Sequence, residues 1–159
     1  MSRYDWLLGL HVLSAFAMVA AIVFFTILLI ALWGTDSPRR VAALFAIGKP
    51  AEILVGAGSV LVLVFGIALA VDVEGYQLWD GWILGSIVLW AIATVLGMRG
   101  GKHYATAHKA AAALVARGDD TPSAELRALI RDRATLWMHV VAGTALLATL
   151  VLMIYKPGA

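Results

Sequence analysis

Four long apolar runs separated by polar segments organise this chain. The first run, from Trp6 to Trp33, contains no charged residue. A helix needs about 20 mainly apolar residues to cross a hydrocarbon core of about 30 Å, and each of the four runs is close to that length or longer. The pattern therefore predicts four transmembrane helices, at about residues 6–33, 51–71, 82–98 and 134–155.

The composition excludes a soluble domain. Of the 159 residues, 62% are hydrophobic and 14% are charged, whereas soluble domains average about 25% charged residues. The mean hydropathy is +0.92. We predict an all-α protein in which residues 1–159 form a single integral membrane domain, a four-helix transmembrane bundle. The sequence contains no cysteine, which excludes disulfides, iron–sulfur clusters and thiolate metal sites.

The basic residues predict the orientation of the bundle. Ten of the twelve Lys and Arg residues lie in two connections, between the first and second runs and between the third and fourth. Because short cytoplasmic loops are enriched in Lys and Arg, we expect a protein of the inner (plasma) membrane with these two connections in the cytoplasm. Both termini are then expected on the outer side of that membrane. This bias explains the sequence pI of 9.2 without nucleic-acid binding. The expected partner is the lipid bilayer, with a homodimer or a membrane complex left open.

The connection at about residues 99–133 is predicted to be a helical hairpin. Residues 102–117 are rich in alanine and contain neither Pro nor Gly, which favours continuation of the third helix. Gly118 indicates a turn, and Thr121-Pro122 indicates the start of a helix that runs unbroken into the fourth span. We expect this hairpin to project into the cytoplasm; the alternative is an amphipathic stretch along the inner leaflet.

Ionisable side chains inside the spans are the first candidates for function, because their burial in hydrocarbon is costly. The spans contain two histidines, His11 and His139. Small residues follow each histidine at i+3 and i+4, on the same helical face. They are Ser14 and Ala15 after His11, and Ala142 and Gly143 after His139. A flat macrocycle such as haem needs this kind of gap beside its ligand, so both histidines are candidate ligands of haem iron.

The two histidines are not expected to share one haem. The first and fourth spans run in opposite directions, which places His11 near the outer face and His139 near the inner face, about 14 Å apart in depth. Two axial imidazoles need nitrogens about 4 Å apart. Two separate sites fit better, as does one ligand beside one histidine that only bonds a neighbouring helix. We rank His11 first as a ligand and His139 second.

Glu52 is the acidic candidate near the edge of a span. It follows Pro50, a favoured first residue of a helix, so we expect Glu52 in the first turn, where the helix dipole stabilises an acid. The alternatives are a proton-relay carboxylate and an ion pair with Lys49.

Two short sequences carry a resemblance to known proteins: the His-containing start of the first span and the ending Met153-Ile154-Tyr155-Lys156-Pro157-Gly158. With the length and the four-span plan, they resemble a family of bacterial predicted integral membrane proteins. More distantly, the chain is similar to the copper-resistance D-like superfamily, which includes the haem-binding J-type protoporphyrinogen oxidase. This resemblance implies haem binding at His11 and adds Lys156 to the candidate site residues.

Two departures from that oxidase argue against porphyrinogen oxidation itself. Its Trp seven residues after the histidine is Met18 here, and residues 82–98 lack its third-helix lysine. We therefore predict a protein that binds b-type haem for redox or electron-transfer chemistry; an enzymatic role would make it a haem-dependent membrane oxidoreductase. One alternative is a transporter or ion channel subunit that uses Glu52 and the histidines as a proton path. Another is a structural or assembly subunit whose hairpin docks a partner.

Overall fold

The computed structural model describes residues 2–158, and these form five α-helices. They are α1 (Arg3–Trp33), α2 (Pro38–Asp72), α3 (Gly81–Ala116), α4 (Ala124–Ile130) and α5 (Arg133–Tyr155). The predicted all-helical class is confirmed. Four segments are long and apolar enough to cross a membrane, namely α1, α2, α3 and the segment that ends with α5.

Successive long helices run in opposite directions, which gives the bundle two distinct ends. The basic end contains the α1–α2 loop, α4 and the start of α5, and the terminal end contains the start of α1, the end of α5 and the α2–α3 loop. At 1.5 Å per residue the 35 residues of α2 extend about 52 Å, well beyond a hydrocarbon core of about 30 Å. α2 therefore extends beyond the hydrocarbon core of a membrane.

The start of α2 corrects one prediction. The helix begins at Pro38, where the side chain of Ser37 accepts a hydrogen bond from the backbone of Arg40, and Pro50 lies inside the helix. A proline within a helix removes one backbone donor but does not have to end the helix. Glu52 is therefore not in a first turn, and the expected dipole-stabilised position of this acid is wrong.

The connection between α3 and α5 corrects a second prediction. α3 continues to Ala116, as its alanine-rich sequence predicts. The next helix does not run unbroken into the fourth span, because α4 ends at Ile130 and α5 starts at Arg133, capped by Asp132. Leu126 of α4 is only 2% exposed, since α4 packs against the long helices. A cytoplasmic position for this connection stays a prediction.

The best-packed part of the molecule is a hydrophobic cluster at the basic end, which we call the basic-end core. It combines residues of α1, α2, α3 and α4: Leu28, Leu29, Leu32, Val41, Ala107, Ala111, Leu126 and Ile130. Leu32, Val41 and the two alanines are completely buried. The short α4 thus closes a core that the long helices leave open on one side.

Polar contacts tie the connections to this core. Arg127 and Arg131 donate to the carboxylate of Asp36 at 3.0 and 3.2 Å. Asp120, in the α3–α4 connection, accepts hydrogen bonds from the hydroxyl of Ser37 at 2.8 Å and the backbone of Arg39 at 2.9 Å. These contacts hold α4 and its preceding turn against the start of α2.

Small residues set the helix spacing. α1 approaches α2 closely at Gly58, where a Cβ atom would lie 3.3 Å from the backbone oxygen of Ser14. α3 packs against α2, α4 and α5, and its contact with α5 is built by Ala93, Ala142 and Ala145. The terminal half of the bundle contains a larger cavity than the basic end.

Candidate functional site

The terminal half of the bundle contains a cavity of about 470 Å³, which we call the terminal-end cavity. α1, α2, α3 and α5 all contribute to its wall, and most of the wall is aliphatic or aromatic. The lining residues that have polar side-chain atoms are Tyr4, His11, Tyr76, Trp82, Ser86, Trp90, Thr149 and Lys156. A chamber of this size and polarity suits a large apolar ligand held by a few polar groups.

The cavity opens sideways between α1 and α5. Contacts between these two helices are sparse. Phe16 of α1 and Ile154 of α5 both line the cavity, and they are 69% and 72% exposed. The wall of the cavity is therefore incomplete between α1 and α5.

His11 lies in the cavity wall with its ring orientation fixed by α2. Its Nδ1 is 2.9 Å from the backbone oxygen of Val62. A carbonyl oxygen can only accept a hydrogen bond, so Nδ1 carries the proton and Nε2 of the neutral ring keeps its lone pair. Within residues 2–158, Nε2 has no hydrogen-bond partner and is not enclosed by protein. Histidines that ligate metals are oriented in this way by a second hydrogen bond.

Gly66 makes room for the His11 ring on α2. A Cβ atom at this position would lie 2.9 Å from Cε1 of His11, closer than side chains tolerate. Sequence reasoning missed both Gly66 and Val62 as site residues. The available signal was the spacing of Gly66 and Ala70, which indicates a close approach but not which side chain fills it.

The small residues predicted beside His11 have different surroundings. Ala15 lines the cavity. Ser14 is 6% exposed, its hydroxyl donates to the backbone oxygen of Leu10 at 2.7 Å, and it lies at the contact between α1 and α2. Ala15 therefore shares the cavity wall with His11, and Ser14 packs at the contact between α1 and α2.

His139 lies away from the terminal-end cavity and contacts α1. The hydroxyl of Thr26 lies 2.9 Å from Nε2 of His139, with which it shares a hydrogen bond, and 2.9 Å from the backbone oxygen of Ile22. Thr26 is fifteen residues from His11, about 22 Å along the helix. The expectation that the two histidines do not meet at one iron agrees with this separation.

Gly143 lies near His139 on α5. A Cβ atom at Gly143 would be 3.9 Å from Cγ2 of Ile22, an ordinary packing distance. The surroundings of His139 are thus an interhelical hydrogen bond and a packed helix contact, without the open volume found beside His11.

Lys156 lies at the rim of the cavity, at the end of α5. Its Nζ donates to the hydroxyl of Tyr76 at 2.9 Å and lies 4.9 Å from the centre of that ring. The ring of Trp82 is 5.6 Å from the same nitrogen. Nearby, Arg3 pairs with Asp72 at 3.1 Å. The terminal end therefore carries two cations, of which Lys156 reaches the cavity.

One protein family matches nearly the whole chain. The profile described as "Predicted integral membrane protein (DUF2269)" covers residues 5–157. The chain belongs to this family. No curated protein and no solved structure matches this DUF2269 protein. The match establishes an integral membrane protein, in agreement with the four spans, and it does not support the more distant similarity to the copper-resistance D-like superfamily.

Glu52 of this DUF2269 protein does not contribute to the cavity. Its carboxylate lies 2.8 Å from Nζ of Lys49, and both side chains are more than half exposed. Of the predicted alternatives, the structure shows the ion pair.

A metal centre built from protein ligands alone is not found in the described part of the chain. Residues 2–158 contain no cluster of three or more His, Asp or Glu residues able to hold a metal ion. Haem iron differs in this respect, because the porphyrin supplies four ligands and the protein needs to supply only one or two. A single oriented histidine in an apolar cavity is therefore compatible with haem.

Proposed function

We propose that this DUF2269 protein binds one b-type haem in the terminal-end cavity, with Nε2 of His11 as an axial ligand, and that it serves membrane redox or electron-transfer chemistry. The supporting observation is the hydrogen bond from Nδ1 of His11 to Val62, which leaves Nε2 free as a base in the wall of a cavity of about 470 Å³. Bound haem supplies a one-electron Fe(III)/Fe(II) couple.

Each neighbouring residue has a defined task in this proposal. The carbonyl of Val62 fixes the tautomer of His11 and makes Nε2 a stronger base. Gly66 provides the space in which the ring lies against α2. The aliphatic wall excludes water, and a low dielectric together with the axial ligand sets the reduction potential of a bound haem.

The second histidine fits this role less well. Nε2 of His139 already bonds Thr26, and that bond would have to break before Nε2 could bind iron. His139 also does not line the terminal-end cavity. We therefore propose a single site at His11, with His139 as a link between α5 and α1.

The proposed orientation follows the distribution of basic residues. With the basic end in the cytoplasm and both termini outside the plasma membrane, the terminal-end cavity lies in the outer half of the bilayer. Electrons would then be exchanged near the outer face. The electron-transfer partner is therefore expected at the outer face of the membrane.

The two alternative functions receive less support. A proton path through Glu52 is disfavoured because this residue is an exposed partner of Lys49 outside the cavity. A docking role for the α3–α5 connection is weakened because its apolar residues, Leu126 among them, are buried against the protein's own helices.

The test is an absorption spectrum of protein purified after expression with ample haem. We expect a Soret band at one haem per chain, loss of most of that band in His11→Ala, and retention of it in the matched variant His139→Ala. A wild-type protein that takes up no haem, or a His11→Ala spectrum identical to the wild type, contradicts the proposal.

A further inference from the structure

Lys156 is a cation at the rim of an apolar cavity. Among residues 2–158 no carboxylate oxygen lies within 4.0 Å of its ammonium group, whereas the neighbouring cation Arg3 is neutralised by Asp72. The side chain is partly buried and lines the cavity. Removing an ammonium from water without an anionic partner is costly. The described residues therefore leave this partly buried ammonium without an anionic partner.

The backbone and two aromatic rings hold this ammonium in place. Lys156 has the left-handed conformation, with φ at 40°, which is unusual for a residue other than glycine. The rings of Tyr76 and Trp82 pack edge to face and both approach Nζ. Cation–π attraction thus positions the charge without neutralising it.

The hydrogen bond between Lys156 and Tyr76 leaves donors available at the rim. The ammonium uses one N–H to reach the Tyr76 oxygen, which acts as the acceptor. The remaining two N–H groups of Lys156 and the hydroxyl hydrogen of Tyr76 have no partner among the hydrogen bonds of residues 2–158. Several donors around one positive charge match the acceptor pattern of a carboxylate.

We infer that Lys156 and Tyr76 form the anion-binding pole of the terminal-end cavity and that they bind a carboxylate carried by a lipophilic ligand. The apolar wall takes the body of the ligand, and the rim takes its charge. Two sources share this chemistry, a haem propionate and a fatty-acid carboxylate. The first source rests on the proposed haem function, and the second does not.

The test compares ligands with and without a free carboxylate. One arm uses hemin and hemin dimethyl ester, followed by absorbance. The other arm uses cis-parinaric acid and its methyl ester, followed by fluorescence. Both are titrated into the full chain in a non-ionic detergent at about pH 8, where the ligand acids are ionised. Lys156→Met removes the charge and preserves the length of the side chain.

In at least one arm we expect the wild type to prefer the free acid over the ester by about tenfold, the size of one charge-assisted hydrogen bond. Lys156→Met should abolish this preference without changing ester binding, and Tyr76→Phe should reduce it. Arg3→Met, at a cation already paired with Asp72, should keep it. Equal binding of acid and ester in both arms, or a preference that survives in Lys156→Met, overturns the inference.

The two arms separate this inference from the haem proposal. A preference for parinaric acid that depends on Lys156, in a protein that binds no hemin, supports the anion pole and contradicts haem binding. Hemin binding that depends on His11, with no acid preference in either arm, supports the haem proposal and contradicts the anion pole.

Discussion

The two ends of this bundle share α1, α2 and α3 but are packed differently. At the basic end, α4 closes a core in which Leu32, Val41 and Ala107 are completely buried. At the terminal end the four long helices surround a cavity of about 470 Å³. Close packing stabilises a fold, whereas a binding site needs volume and unused polar atoms. We therefore expect the stability of the fold to depend mainly on the basic end, and we propose that ligands bind at the terminal end.

The largest difference is expected between two leucine truncations. Leu32→Ala creates a hole in the basic-end core and should lower the free energy of unfolding by about 2–5 kcal/mol. Leu63→Ala enlarges a cavity that already exists, since Leu63 lines it and is only partly buried, and should cost less than about 1 kcal/mol. Denaturant titration in detergent, followed by circular dichroism, measures both. Equal losses would contradict the division between the two ends.

A smaller effect is expected from a methyl group placed against His11. Gly66→Ala should displace the imidazole, because the new Cβ would lie 2.9 Å from its ring, and weaken haem binding by about tenfold through loss of the Val62 hydrogen bond. Gly56→Ala on the same helix is the control, since no atom lies within 4 Å of its Cβ position. Haem titration of both variants is the measurement. If Gly66→Ala binds haem as tightly as Gly56→Ala does, the ring is not held as described.

Low pH should destabilise the basic end because Asp120 becomes protonated. The hydrogen bonds from the backbone of Arg39 and the hydroxyl of Ser37 lower the pKa of this carboxyl below its ordinary value of 3.8. Because the pKa of Asp120 is lower in the folded state, its ionised carboxylate stabilises the fold at pH values above the unfolded-state pKa. This stability is lost as the pH falls through the folded-state pKa.

The measurement is the melting temperature between about pH 5 and pH 2. Asp120→Asn should flatten its decline with acid, and Glu74→Gln at the opposite end should leave the decline unchanged. A decline that is identical in Asp120→Asn and the wild type would show that Asp120 does not hold the α3–α4 connection against α2.

The smallest effect is expected at Glu52. Its ion pair with Lys49 is exposed on both sides, and such pairs contribute about 0–1 kcal/mol. Glu52→Gln should therefore leave the unfolding free energy within about 0.5 kcal/mol of the wild type and leave solute flux in proteoliposomes unchanged. A wild-type flux that disappears in this variant would instead favour the transporter alternative.

Much of the fold could be predicted from the sequence because it depends on local patterns. Apolar runs of membrane length predict the long helices, and alanine-rich residues 102–117 predict the extension of α3. Pro50 misled the prediction because a proline favours a first helical turn but is tolerated inside a membrane helix whose neighbours supply contacts. The fold-back of α4 depends on tertiary burial of Leu126, which no local pattern reveals.

The candidate site could be predicted only in part. His11 is recognisable as an ionisable residue in an apolar run, and its separation from His139 follows from helix direction. The hydrogen-bond partner of His11, the cavity beside it and the rim at Lys156 all depend on how α2, α3 and α5 meet. A backbone oxygen such as that of Val62 has no sequence signature, because every residue carries one.

The central claim, that His11 is a haem ligand in the terminal-end cavity, is tested most directly by removing its side chain and supplying free imidazole. We expect His11→Gly to lose the Soret band of the wild type and to recover it when imidazole is added together with hemin, because imidazole fills the vacated position. The matched variant His139→Gly should bind haem without imidazole. A His11→Gly protein that keeps the wild-type spectrum without imidazole would contradict the claim.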